Sequence, residues 1–102
     1  MSAETSLGDV LAELLDEVDD VEVLADREYA RNGVVFAART AENVIELRLR
    51  PDVADAALRT PDTEPSARGE EWVAFAAADW NDPLARDRLV AWFRLAWRAA
   101  GV

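Results

Sequence analysis

The stretch from Asp82-Pro83 to Gly101 constrains this chain more than any other. Leu89, Trp92, Phe93, Ala96, Trp97 and Ala100 recur at i, i+3, i+4, i+7, i+8 and i+11. That spacing lays one apolar stripe along a helix of period 3.6. Asp82 or Asn81 can cap the start, Pro83 suits the first helical position and Gly101 suits the stop. Three of the chain's eight aromatic residues sit on this one stripe, so the preceding segments must build a surface that covers it. The stripe therefore reads as core, with Trp92, Phe93 and Trp97 expected to be buried against Phe36, Leu47 and Phe75.

The preceding segments offer an amphipathic helix and a set of strands. Over residues 6–20, Ser6 is a suitable cap, and Leu7, Val10, Leu11, Leu14 and Val18 form a buried stripe opposite an acidic face. Asp19 and Asp20 stand where the helix dipole prefers cations, which helps to end the helix there. Val21 to Asp26 is ambiguous, although Val21 and Val23 fit the start of a short strand. Asn32-Gly33 lies between two strand-like runs, a strong cue for a two-residue hairpin. That loop sets Arg31 opposite Val34 and Tyr29 opposite Phe36. After a turn at Thr40–Asn43, residues 44–50 alternate: Ile45, Leu47 and Leu49 face in, while Glu46, Arg48 and Arg50 face out. Pro51 opens a short helix to Arg59, with Val53, Ala56 and Ala57 on one side. Residues 60–70 read as a loop, rich in proline and polar groups. Trp72 to Ala77 is the next strand, with Val73 and Phe75 on one face and Trp72 and Ala74 on the other. The expected architecture is α+β, in the order α-β-β-β-α-β-α: one domain, residues 1–102, with helices packed on one face of an antiparallel sheet of about four strands.

Composition narrows the chemistry. The 102 residues contain no cysteine, histidine or lysine. The chain therefore has no disulfide framework, thiol nucleophile, imidazole base or Schiff-base lysine. The opening residues have neither a basic region nor an apolar run like a signal peptide. No stretch approaches a membrane span, so a cytoplasmic protein without membrane contact is expected. The net charge of −10 opposes nucleic acid and anionic membrane as partners. It is unevenly spread: residues 1–28 set ten acids against Arg27, a net −9, whereas residues 83–102 set four arginines against Asp87, a net +3.

Asn32-Gly33-Val34-Val35-Phe36-Ala37, the Val44–Leu49 strand before a short helix, Trp72 after a loop, and the aromatic closing helix Leu89–Trp97 together resemble the MmcQ/YjbR family of small bacterial proteins. The resemblance covers about residues 28–100. It implies a CyaY-like fold, and it implies DNA binding through a basic surface.

The strongest chemical feature of the sequence is the outward sheet face. Arg48 and Arg50 should share it with Arg39 and Trp72, and arginine beside an exposed tryptophan can hold a phosphate, a carboxylate or a planar ring. The alternative is a set of cross-strand ion pairs among Arg39, Arg48 and Glu46. Asp79 with Asp82, and Glu70 with Glu71, look like cap and solvent residues rather than acid/base pairs, and no D-x-D-x-D-G loop is present. No catalytic residue, metal ligand or cofactor is expected. The leading expectation is a non-enzymatic binding or adaptor module, contacting another protein or a second copy of itself. DNA binding is the alternative, followed by sensing of a small anionic ligand at the Arg/Trp face.

Overall fold

A computed structural model describes residues 5–24 and 27–101. The end of the ambiguous Val21–Asp26 stretch and the first four residues read for a leader lie outside the described residues. Three helices and six strands follow in the order α1 (Leu7–Glu17), β1 (Glu22–Leu24), β2 (Glu28–Arg31), β3 (Val34–Ala41), β4 (Val44–Arg48), α2 (Pro51–Leu58), β5 (Thr63–Pro65), β6 (Trp72–Phe75) and α3 (Pro83–Ala100). The strands form one sheet in the spatial order β1-β2-β3-β4-β6-β5, and all neighbours are antiparallel. The fold is thus α+β, as expected, but with six strands instead of four. The added strands β1 and β5 are three residues long and occupy the two edges. Neither has a buried residue, so the Val21/Val23 alternation left β1 ambiguous and nothing marked β5; pairing with a neighbour makes them strands.

Local chemistry explains most boundaries. Ser6 caps α1: its hydroxyl accepts from the Asp9 N–H, and the Asp9 carboxylate accepts from the Ser6 N–H, a reciprocal box that satisfies two orphan donors. The helix ends at Glu17, three residues before the pattern suggested, and Asp20 then takes a positive φ of 59°. Asp82 caps α3 by accepting from the Leu84 N–H, with Pro83 at the first helical position. Asn32 and Gly33 both have positive φ, 52° and 80°, as a type I′ hairpin turn requires.

One irregularity in that hairpin controls the rest of the sheet. Arg31 pairs with Val34 as expected, but Tyr29 pairs with Ala37 because Phe36 is an extra residue bulged out of β3. Phe36 and Ala37 consequently point to the same side. On that side, Tyr29 and Phe36 both meet Phe93 edge to face, at ring-centroid distances of 6.0 and 5.3 Å. Phe75 meets Trp80 and Trp92 in the same way. All three helices cover this face. Leu7, Val10, Leu11 and Leu14 of α1, Ala54 and Ala57 of α2, and Leu89, Phe93 and Ala96 of α3 join one buried cluster with Ile45, Leu47 and Val73. Trp92 and Trp97 are only partly buried and flank the seam, whereas Trp80 at the approach to α3 is buried.

Candidate functional site

The four residues expected to share the outward face do not assemble there. Arg48 and Trp72 do: they are direct cross-strand partners on β4 and β6. Arg39 pairs with Ile45 and lies on the opposite, helix-covered face. Its guanidinium lies against α1, where a Cβ on Gly8 would fall 3.1 Å from Nη1, and its Nη2 donates to the Glu42 carbonyl at 2.7 Å. The cause is the Phe36 bulge. Strict alternation from an inward Phe36 puts residue 39 outward, but the extra residue advances the phase by one. Arg50 also leaves the face, because β4 stops at Arg48 and Arg50 becomes the residue before the first turn of α2.

The centre of the open face is instead Glu46, met by the loop after β5. Glu28, Ala38, Glu46, Ala74 and Glu64 lie in one cross-strand row from β2 to β5. Arg68 reaches back over this row: its Nε is 2.9 Å from Glu46 Oε1, and its Nη1 is 2.9 Å from Glu28 Oε2. The Ser66 hydroxyl donates to the other Glu46 oxygen and accepts from the Arg68 N–H at 3.1 Å. The small side chain of Ala38 leaves room for this crossing, and Ala38 is fully buried although it faces away from the helices. Glu46 is only 8% exposed, and these partners offset the cost of burying its charge. For Arg68, burial alone would lower the pKa, but the hydrogen bonds and charges of Glu46 and Glu28 outweigh it and raise the pKa. The Arg68 guanidinium carbon also sits 5.2 Å from the Trp72 ring centroid, within cation–π range.

Sequence reasoning missed Arg68 because residues 60–70 read as loop, and only the sheet register brings residue 68 back to residue 46. A weak signal existed: Glu46 is the sole acid in the otherwise apolar or arginine-bearing run Val44–Arg50, and such an acid needs a cation above it. Ion pairs do form on this face, but not the expected ones among Arg39, Arg48 and Glu46. Arg48 pairs with Glu71 at 3.3 Å rather than with Glu46. Both arginines of the face are thereby held by carboxylates, which weakens it as an anion-binding surface.

The other exposed chemistry lies at the β1 edge. Among the described residues no strand pairs with the outer side of β1, and Val23 and Leu24 are 58% and 38% exposed. Glu17, Asp19, Asp20 and Glu22 lead into it along the chain. At the far edge, β5 ends in Pro65, which has no N–H to offer a further strand.

Among the described residues no group of three or more acids is placed to hold a metal ion, and no helix is long and apolar enough to cross a membrane. Compared with known proteins, the chain matches no family model, no curated protein and no solved structure.

Proposed function

We propose that this chain is a non-enzymatic binding module of the cytoplasm that takes a basic, extended segment of a partner protein along the free edge of β1. The observation that carries this reading is the asymmetry of the sheet edges: proline closes one, while the other leaves β1, among the described residues, unpaired on its outer side beside the most acidic part of the chain. An added strand gains main-chain hydrogen bonds, and alternate side chains then contact Val23 on one face and Leu24 on the other. The net −9 of residues 1–28 favours lysine and arginine in the incoming segment and speeds encounter with it. The same charge disfavours self-association here, since a second copy would bring acid against acid. Burial raises the pKa of Tyr29, which packs on Phe93, and two glutamates raise that of Arg68, so each of these shifts has a structural cause.

The resemblance to the MmcQ/YjbR family supports a CyaY-like fold as part of this proposal. The DNA-binding role that it also implies has less support, because Arg39, Arg48 and Arg50 occupy three different places.

Fluorescence anisotropy with a labelled strand-forming peptide flanked by lysines tests the proposal. Binding should weaken as salt rises, and a glutamate-flanked peptide should not bind. Val23→Pro should abolish binding while the chain stays folded. Equal binding of both peptides, or binding that survives Val23→Pro, rules out the β1 edge.

A further inference from the structure

A separate cavity of about 290 Å³ opens where the β4–α2 junction meets the last turns of α3, three strands away from the β1 edge. Its floor is apolar: Phe36 and Leu49 are buried beneath it, and Ala96 and Ala100 line the α3 side. The space exists because α3 ends in alanines where its stripe could have carried larger side chains, while Phe36 and Leu49, each 1% exposed, close the floor. The rim is polar and carries three charges, from Arg48, Arg50 and Glu71. Arg48 is held by Glu71 at 3.3 Å, and the Glu71 carbonyl in turn accepts from the Leu49 N–H at 2.8 Å, which fixes that wall. Arg50 differs: among the described residues, its guanidinium makes no hydrogen bond or ion pair. The rim thus presents one net positive charge above an apolar floor.

We propose that this cavity binds a small amphiphilic monoanion, a carboxylate whose body is a single ring or a short branched chain. The Arg50 guanidinium takes the carboxylate in a charge-assisted, two-pronged hydrogen bond. The ring or chain lies above that floor against Pro51, Ala99 and Ala100, whose exposed apolar surface loses water on contact and supplies the remaining affinity. The volume limits the body to about one ring, since a cavity of about half this size accommodates benzene. A dianion fits less well, because Glu71 faces the same space and the only other cation of the rim is already paired.

The test is an amide NMR titration of the intact chain with sodium benzoate, with benzamide as the neutral probe of the same shape. Benzoate should shift, saturably, the amides of Phe36, Leu49, Arg50 and Ala96 to Gly101, with a Kd on the order of 1 mM for so small a ligand. Benzamide should bind at least roughly tenfold more weakly, as should benzoate to Arg50→Gln, the loss expected for one charged hydrogen bond. Arg50 is exposed, so the substitution should leave the rest of the spectrum in place. Ala99→Leu, at an exposed position on the cavity wall, should block binding by occupying the space. Absence of saturable shifts at these amides, equal affinity for benzamide, or full affinity in either variant overturns the proposal.

Discussion

Tyr29 is the chain's only tyrosine, so its ionisation can be read without interference. Burial raises its pKa above the usual 10.0, while the charges of Arg39 and Arg27 partly oppose the shift. The folded state therefore holds the phenolic proton to higher pH than the unfolded state. The stability contributed by this group is complete below about pH 10 and is lost as pH rises through the folded pKa. An ultraviolet absorbance titration should give a midpoint above 10.0 in the native chain and near 10 in denaturant; a native midpoint at or below 10 contradicts the burial. With no histidine or cysteine present, no side chain with an ordinary pKa near neutrality competes with this signal. At this scale the sequence was legible where one residue decides its own conformation, as at Asn32-Gly33 or Ser6. It was not legible for Arg39 or Arg68, whose partners lie on elements placed by register. A side chain's identity says what it can bond, and a strand's phase says whom it meets.

Among the elements, α3 was the most legible, and its edges were the least. The seam runs through Ala85, Leu89, Phe93 and Ala96, narrower than the stripe of six that periodicity suggests. Trp97 lies beside it, held by polar contacts that no hydropathy pattern encodes. Its indole N–H donates to the Asp19 carbonyl at 2.8 Å, and Arg31 stacks 3.7 Å from its ring centroid while donating to its carbonyl. Trp97 thus ties the α1–β1 connection and the β2–β3 hairpin to the end of α3. The energetic order within the helix follows from burial. Phe93→Ala should cost about 3–5 kcal/mol, much of the roughly 5–15 kcal/mol that holds a domain together. Trp92→Ala should cost less, since part of that ring already meets water. Urea unfolding of both variants checks the order, and a larger loss at Trp92 would place the seam one residue earlier. The short α2 shows the same limit: Ala54 and Ala57 are its buried residues, not Ala56, because too few turns exist for periodicity to settle the face.

For the whole molecule, charge is more informative than fold. The arginines are dispersed among faces, and among the described residues three of them are held by carboxylates: Arg48 by Glu71, Arg68 by Glu28 and Glu46, and Arg94 by Glu17. A strongly salt-dependent DNA binder neutralises roughly six to ten phosphates, and among the described residues no face offers that many free cations. With a net charge of −10 adding repulsion at every salt concentration, random duplex DNA should bind no tighter than roughly 10⁻⁴ M at physiological salt. Anisotropy of a labelled duplex at two salt concentrations checks this expectation. Micromolar affinity that falls with salt, and disappears when Arg48 and Arg50 are both changed to alanine, would restore the DNA reading.

The β3 bulges also govern which changes in length the chain can survive in evolution. Phe36 is the residue that β2 does not match, and Thr40 is a similar surplus opposite β4. A descendant that lost the codon for either would keep every other residue of the sheet on its present side. Loss of a codon at most other places in β3 would exchange the two sides of part of the strand, carrying alanines into water and Arg39 out of its place beside α1. Drift in chain length is therefore channelled to two positions, and the inward aromatic at the first sets what that shortening removes.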